Sequence, residues 1–343
     1  TGSDFSGTVS FAGSGLFNVT IDDNSALDLQ ALTLTGNLLV STGGAITQSG
    51  ILDIDGTSGF SAGANAITLS LANDFSGAVS FNNSATSNVA VNASNGIDLA
   101  ASNIGGNLNV SLAAGNITDT GSVAVGGSGT FTTVNGTIEL DLLAVTGSIA
   151  VTTTGNTADV TLVNAVGVNM ADSTIGGNLN ATATTGDISL ASVTAGGTVT
   201  INALAGSIND AADDLLTDVT AAGLITLTAR DGIGGAAPAA VIDIQQALEF
   251  ASGSTLDVSS TTLGGIVLSG PGALTLTDID TADGSIDISA SGLLTATDVQ
   301  SGNNNPINLS GNGIAAGIIN AGTGSVSLNG LGGAIVDNGS TLI

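Results

Sequence analysis

The sequence predicts an all-β fold, namely a right-handed parallel β-solenoid (β-helix) that forms an elongated rod with roughly 18–20 residues per rung. Two periodicities predict it. A long repeat returns about every 70 residues, and inside it a strand-like segment returns about every nine or ten residues. A third observation is side-chain size: apart from 8 Phe and 1 Met, the larger apolar residues are Val, Ile and Leu, which suit a narrow core.

The long repeat is visible as short sequence motifs that recur. Asp4-Phe5-Ser6-Gly7 returns as Asp74-Phe75-Ser76-Gly77. Gly36-Asn37-Leu38 returns as Gly106-Asn107-Leu108 and again as Gly177-Asn178-Leu179. Repetition at a fixed period is typical of arrays in which each unit buries its apolar face against its neighbours.

The short segments predict strands. Gly77-Ala78-Val79-Ser80-Phe81, Gly96-Ile97-Asp98-Leu99 and Gly136-Thr137-Ile138-Glu139-Leu140 alternate apolar and polar residues, as strands with one buried face do. Gly, Asn and Asp between the segments favour tight turns. We expect two segments per rung, with aliphatic columns inside and in-register Asn or Thr ladders at the turns.

Sandwiches, barrels and propellers also contain many short strands. The seamless copies, the absence of a regular Asn-Gly hairpin turn and the small side chains favour the solenoid. The long repeat fits four coils of about 18 residues or three of about 23. Ile242 to Phe250 fits either a short helix or a strand.

Composition is nearly uniform, which predicts a single continuous solenoid segment over 1–343. The copies of about 70 residues occupy 1–210, and more divergent rungs occupy 211–343. Both ends still read as repeat. We therefore expect a fragment of a longer protein, which would contact copies of itself or the rest of a repeat chain.

Charge limits the partners. The net charge is −27, from 28 acidic residues and a single basic one. A chain with so few cations cannot neutralise phosphates, which argues against nucleic acid. No apolar run reaches the roughly 18 residues of a membrane span, so we expect no membrane insertion.

Catalytic chemistry has few candidates. The chain contains no Cys or His, which removes the usual nucleophile triads. A carbohydrate-active enzyme needs paired carboxylates, and Asp53/Asp55 and Asp278/Asp280 share a strand face at i, i+2. A solvated acidic face explains both pairs. Arg230 beside Asp231 predicts a local salt bridge or a carbonyl cap. We therefore expect no enzyme activity and no cofactor.

Calcium is the one metal ion that the sequence suggests. Acidic turns rich in oxygen ligands could bind it weakly, and the residues concerned are Asp22, Asp23, Asp213, Asp214, Asp278 and Asp280. The nonapeptide of calcium-loaded β-rolls does not occur, because Gly126-Gly127-Ser128-Gly129-Thr130-Phe131 has Phe where Asp is needed. Solvated turn carboxylates are the alternative interpretation.

Paired threonines suggest a flat binding surface. Thr33/Thr35, Thr226/Thr228, Thr275/Thr277 and Thr295/Thr297 place two hydroxyls on one strand face. Stacked in register, such pairs could bind ice. Their irregular spacing instead favours ordinary strand residues.

The chain resembles the large repetitive exoproteins of bacteria, of the filamentous-haemagglutinin-like and giant-adhesin type (β-strand-repeat proteins). The resemblance is carried by Gly223 to Gly234 (GLITLTARDGIG), Gly272-Ala273-Leu274-Thr275-Leu276 and Gly284-Ser285-Ile286-Asp287-Ile288. It implies export and a role in attachment, biofilm or filament formation.

These observations lead to a functional expectation: a structural or adhesive segment of a secreted or cell-surface bacterial repeat protein, as a stalk, extracellular matrix fibre or filament subunit. A surface glycan or a host receptor would be its partner. The alternatives are a ligand-binding solenoid for carbohydrate, Ca²⁺ or ice, and a polysaccharide-active β-helix enzyme.

Overall fold

The structure, a computed structural model, describes residues 3–5, 8–11, 15–212, 214–235 and 247–339. Two compact units, Thr1–Ala165 and Val166–Ile343, are distinguished by their internal contacts. Both units are built from parallel strands in successive rungs, which confirms the predicted parallel β-solenoid. Its right-handed sense stays a prediction.

The first unit contains strands β1 to β19. Their bounds are β1 Val19–Asp23, β2 Leu27–Leu29, β3 Leu32–Leu34, β4 Leu38–Thr42, β5 Ile46–Gln48, β6 Leu52–Ile54, β7 Ser58–Ser61, β8 Ile67–Phe75, β9 Val79–Asn82, β10 Val89–Ala93, β11 Ile97–Leu99, β12 Ser102–Ile104, β13 Leu108–Leu112, β14 Ile117–Asp119, β15 Val123–Val125, β16 Gly129–Thr133, β17 Ile138–Val145, β18 Ser148–Thr153 and β19 Val160–Asn164.

Side chains alternate between core and solvent along these strands. In β1 the first, third and fifth residues are buried and the two between them are exposed. Inward residues stack in columns: Val40 lies beside Phe60, and Phe60 beside Phe81, with ring centroids 5.8 Å apart in a stacked arrangement. The core is therefore a set of apolar columns running across the rungs, as the alternation predicts.

Register gives the rung length. Val19 pairs with Leu38, Leu38 with Ser58 and Ser58 with Val79, so one rung takes roughly 20 residues and each is slightly longer than the last. Later in this unit Ile138 pairs with Val160, which makes that rung longer again. The shorter rungs agree with the expected length of roughly 18–20 residues, and the longer ones exceed it by one or two residues.

The two sides of a rung differ. One side is a single strand of four to six residues, such as β1 or β10. The other is a pair of three-residue strands joined by a short link, such as β2 with β3, or one long strand such as β8. We call these the single-strand side and the paired-strand side.

The two sides exchange sheets once per repeat. Val19 in β1, on the single-strand side, belongs to one sheet; its counterpart Val89 in β10 belongs to the other; and Val160 in β19 returns to the first. A repeat of about seventy residues, at about twenty per rung, is three and a half rungs. Neither four coils of about 18 nor three of about 23 is correct, because both assume a whole number of rungs.

Each exchange leaves a seam, where a single strand stacks on a paired-strand side and the register slips. Between β8 and β10, Leu69 pairs with Val91 but Asn73 pairs with Ala93. Asn73 is fully buried. Its side-chain oxygen accepts the Leu52 amide at 3.0 Å, and its nitrogen donates to Gln48 Oε1 at 2.9 Å. A buried amide thus satisfies backbone that the bulge would leave unpaired.

At the seam between β17 and β19 the buried asparagine lies in the later strand, whereas Asn73 lies in the earlier strand of its seam. Asn164 in β19 is buried, and its amide accepts from the Val145 nitrogen at 2.8 Å and donates to the Val145 carbonyl at 2.9 Å. Between β9 and β12 the hydroxyl of Ser102 accepts the Phe81 amide at 3.0 Å and donates to the Ala100 carbonyl at 2.8 Å.

The turns before the single strands carry the predicted asparagine ladder. Asn18 accepts the backbone nitrogen of Asn37 at 2.7 Å, and Asn37 accepts that of Thr57 at 2.9 Å. Asn107 accepts the nitrogen of Ser128 in the same way, at 2.8 Å. Each asparagine therefore ties its rung to the next one.

Glycine precedes Asn37 and Asn107 because there is no room for a side chain. A Cβ on Gly36 would lie 2.4 Å from Asn18 Oδ1, and one on Gly106 would lie 2.5 Å from Asn88 Oδ1. The Gly-Asn-Leu words found in the sequence therefore encode a stacked turn followed by an inward leucine.

The second unit contains strands β20 to β38. Their bounds are β20 Val168–Met170, β21 Ser173–Ile175, β22 Leu179–Ala183, β23 Ile188–Leu190, β24 Val193–Ala195, β25 Val199–Ala203, β26 Ile208–Asp210, β27 Val219–Ala221, β28 Ile225–Ala229, β29 Leu248–Glu249, β30 Ser254–Ser260, β31 Ile266–Gly270, β32 Leu274–Thr281, β33 Ile286–Ala290, β34 Leu294–Ser301, β35 Ile307–Gly311, β36 Ile314–Asn320, β37 Val326–Asn329 and β38 Ile335–Asp337. A 3₁₀ turn, Gly302–Asn304, follows β34.

Two rungs of this unit are long. Leu179 pairs with Val199 and Leu274 with Leu294, at about 20 residues each. Between them Val199 pairs with Ile225, and Ile225 with Leu256, so these two rungs take about 26 and about 31 residues. Within the stretch from Ile242 to Phe250, residues 242–246 lie outside the described residues, and Leu248–Glu249 is a strand.

The turn ladder predicts a position-specific stability effect. Asn107→Ala removes the acceptor for Ser128, and we expect the free energy of unfolding to fall by about 1 kcal/mol. Asn109, exposed in the following strand, is the matched control. Asn109→Ala should change the free energy of unfolding by less than about 0.5 kcal/mol. Urea unfolding followed by circular dichroism measures both, and equal effects would contradict the ladder's role.

The seam predicts a larger effect. Asn73→Ala deprives Leu52 and Gln48 of partners, and each buried group without one costs about 1–3 kcal/mol. We expect a loss of about 2–4 kcal/mol. Asn82→Ala, at an exposed position of β9, is the control. A loss at Asn73 no greater than at Asn82 would show that the buried amide is dispensable.

Candidate functional site

Three carboxylates converge in the second unit, where the rungs lengthen. Asp210 is the last residue of β26, Asp218 directly precedes β27, and Glu249 lies in β29. One carboxylate oxygen from each lies within 4.8 Å of one from each of the others. We call Asp210, Asp218 and Glu249 the carboxylate cluster.

Parallel stacking brings these segments together. Val219 forms a bridge with Phe250, and Glu249 pairs with Ser269 on the next rung. The Asp218 nitrogen donates to the Glu249 carbonyl at 3.0 Å. Asp218 therefore lies beneath Glu249 at one rung spacing, although 31 residues separate them in sequence.

Burial of the cluster is nearly complete at two of its members. Asp218 is 2% exposed and Glu249 is 3% exposed. The Glu249 nitrogen donates to Asp218 Oδ2 at 2.8 Å, and the Ser269 hydroxyl donates to Glu249 Oε1 at 3.0 Å. Among the described residues nothing donates to Glu249 Oε2, although it is buried.

Asp210 is held by its own turn. Its two carboxylate oxygens accept the backbone nitrogens of Ala212 and Asp214, each at 2.8 Å. These bonds fix the carboxylate in place beside the buried pair.

Burial dominates the electrostatics. It raises the pKa of Asp218 far above the usual carboxyl range, and repulsion from Asp210 and Glu249 adds to the shift. Burial also raises the pKa of Glu249, with further repulsion from Asp210 and Asp214. The cluster is thus a place where negative charge is costly.

The structure separates most of the candidate Ca²⁺ residues that the sequence suggested. Asp22 is exposed, whereas its neighbour Asp23 is buried and accepts the Ser25 nitrogen at 3.1 Å. Asp213 lies outside the described residues. Asp214 lies beside the carboxylate cluster, and its Oδ1 accepts the Leu216 nitrogen at 2.6 Å.

Asp278 and Asp280 belong to an acidic ladder on the outer face of β30, β32 and β34. Asp257 pairs with Asp278, and Asp280 pairs with Gln300, two residues after Asp298. Burial raises the pKa of Asp257 and Asp280, and their acidic neighbours raise it further. This ladder fits the solvated acidic face that the sequence suggested.

The other candidate residues contact only their immediate neighbours. Arg230 Nε lies 3.5 Å from Asp231 Oδ1, which confirms the predicted salt bridge. Asp53 lies outward in β6, with Thr33 and Asp74 as its neighbours in register. An open groove over β1, β4 and β7 is lined by Thr20, Leu39, Gly59 and Ser80 among others, and its lining holds no ionisable side chain.

Threonine columns are short. Thr200 pairs with Thr226, but Asn180 and Asp257 continue that column on either side. A second column, Thr255, Thr275 and Thr295, ends at Ala315. The paired threonines do not extend into the long regular array that an ice-binding face would need.

Sequence reasoning missed all three residues of the carboxylate cluster. Acidic residues adjacent in sequence suggest a site by themselves, whereas Asp210 and Glu249 come from two different strands and Asp218 directly precedes a third. One signal was present: Glu249 is one of two glutamates and stands between Leu248 and Phe250 in an apolar segment. A charge in a strand whose neighbours are all buried indicates a special environment.

The acidic ladder predicts a pH-dependent stability. Asp278→Asn removes a negative neighbour of Asp257 and Asp280, so we expect a gain of up to about 0.5 kcal/mol near neutral pH. Because the folded-state pKa values of these neighbours are raised, lowering the pH through them stabilises the wild type as well. The gain should therefore shrink toward pH 4. Thermal unfolding measures it, with exposed Asp172→Asn as control, and a gain independent of pH would contradict the explanation.

Comparison with known proteins identifies the repeat. A family model described as "Repeats of unknown function (DUF5649)" matches residues 17–82, 86–152 and 157–215, together more than half of the 343 residues. No curated protein and no solved structure matches the chain. The matched segments begin just before β1, β10 and β19. These strands alternate between the two sheets because the repeat holds three and a half rungs, and we call this alternation the half-turn exchange. The chain thus belongs to the DUF5649 family of repeats.

Proposed function

We propose that this chain is a structural segment of a bacterial repeat protein that is secreted or held at the cell surface. There it serves as a stalk, matrix fibre or filament subunit and contributes to adhesion. Its partners are copies of itself or the remainder of a longer repeat chain, together with a surface glycan or a host receptor. The proposal includes no catalytic activity.

The half-turn exchange is the observation that carries the proposal. A recognition face specialised for one ligand is built most simply from a repeat of whole rungs, which stacks equivalent residues on one side. Here equivalent residues, such as Val19 and Val89, lie in different sheets of the first unit. Successive copies therefore present equivalent outer surfaces on alternate sides, which suits contacts with neighbours on both sides.

The roles of the recurring residues and the net charge support the same proposal. The recurring residues of the repeat, such as Gly106, Asn107 and Leu108, hold one rung to the next. A net charge of −27 favours solubility and limits lateral clumping. None of the segments that the structure describes is a helix of the length and apolarity that crossing a bilayer requires.

Export is supported by the resemblance to large bacterial exoproteins. That resemblance rests on short strand words such as Gly284-Ser285-Ile286-Asp287-Ile288, which are typical of the architecture. The attachment role follows from the same resemblance.

Localisation tests the proposal. An antibody against the purified chain should label intact cells of the source organism or the material around them, and protease added to intact cells should remove the label. An antibody against a cytoplasmic protein is the control and should label only permeabilised cells. Labelling of the chain only after permeabilisation would overturn the proposal.

A further inference from the structure

The carboxylate cluster lacks a positive partner within the chain. The protein contains one Arg and no Lys or His. That Arg230 is paired with Asp231, at 3.5 Å. Burying carboxylates without compensation is costly, so the compensating charge must come from protons or from a bound cation.

The oxygen atoms of the cluster lie close together and are only partly hydrogen-bonded. Glu249 Oε1 and Asp218 Oδ2 each accept one hydrogen bond, from the Ser269 hydroxyl and from the Glu249 nitrogen respectively. Glu249 Oε2, which belongs to a residue only 3% exposed, receives none from the described residues. An unsatisfied buried oxygen among carboxylates is what a missing cation would leave behind.

Spacing and ligand type indicate which cation fits. The three ligand oxygens lie within 4.8 Å of one another, close enough for one ion to contact all three, and a Ca²⁺–oxygen bond measures about 2.3–2.6 Å. Mg²⁺ binds at about 2.0–2.1 Å and demands a tighter octahedron. A set made only of oxygen atoms disfavours metals that prefer sulfur or nitrogen.

We propose that Asp210, Asp218 and Glu249 bind one divalent cation, and that the ion is Ca²⁺. None of its three ligands is among the acidic residues that the sequence suggested, although Asp214 adjoins the site through its hydrogen bond to Asp210. It goes beyond the proposed function, and it stands whether or not the chain is exported.

The position of the site gives the ion a structural role. Its ligands come from β26, from the residue before β27 and from β29, within the stretch where the two longest rungs occur. An ion held by all three segments binds the folded unit and not the unfolded chain, so it stabilises these long rungs.

The competing state of the same cluster is a protonated one. A proton on Asp218 shared with Glu249 would also remove the buried charge, and it requires no metal. The two states differ in what added Ca²⁺ does, which makes the choice between them experimental.

Calcium binding to the purified full chain is the decisive experiment. The chain is stripped with EDTA and titrated with CaCl₂ by calorimetry at near-neutral pH in physiological salt, which weakens binding to the exposed carboxylates. We expect a site filled by about 1 mM Ca²⁺, within the range of extracellular modules, and a higher melting temperature with Ca²⁺ than without. MgCl₂ at the same concentration should give a smaller shift.

Conservative variants assign the site. Glu249→Gln and Asp218→Asn keep the side-chain size and remove one ligand charge each, and we expect Ca²⁺ affinity at this site to fall at least about tenfold. Asp172→Asn, exposed and outside the cluster, is the control and should bind like the wild type. Circular dichroism of the metal-free proteins confirms folding, and Glu249→Gln alone suffices if Asp218→Asn unfolds.

Two results would overturn the inference. The first is a wild-type chain whose melting temperature Ca²⁺ does not raise. The second is Ca²⁺ binding that is the same in the wild type, Glu249→Gln and Asp172→Asn. Either result assigns the cluster to the protonated state.

Discussion

Everything in this fold depends on one contact, the in-register stacking of each turn on the turn beneath it. Parallel rungs lie about 4.8 Å apart, which leaves room for backbone and for little else. Gly106 and Gly127 are glycines because a Cβ would enter the preceding turn. Asn107 uses the same narrow space productively, by accepting the next rung's amide. Many of the chain's 51 glycines stand in such turns, where a Cβ would meet the neighbouring rung.

The seams show what a fractional repeat requires. A repeat of whole rungs stacks like on like, whereas three and a half rungs must stack a single strand on a paired-strand side. The register slips there, and buried backbone loses its partner. Asn73 and Asn164 supply the missing hydrogen bonds from opposite strands. Asparagines at two different positions of the repeat thus satisfy the unpaired backbone of a seam. The seam therefore requires a buried amide, and either strand can supply it.

Much of the fold follows from local sequence. Alternation fixed the strands, and Gly-Asn-Leu marked the stacked turns. The number of rungs per repeat did not follow, because a count of residues cannot reveal that copies alternate between sheets. The carboxylate cluster could not be predicted for a related reason. Asp22 and Asp23 are adjacent in sequence and point to opposite faces, whereas Asp218 and Glu249 are far apart in sequence and stack on each other. Proximity across rungs depends on rung length, which varies most at that place.

The half-turn exchange also bears on how such a chain changes in evolution. Recombination between related copies adds or deletes whole repeats. Within the first unit, loss of one copy would move the single strand that follows it from one sheet to the other. Loss of two copies would leave that strand in its original sheet. Lineages that keep a contact on one face should therefore differ from one another by even numbers of repeats, so that copy number acts as an orientation switch.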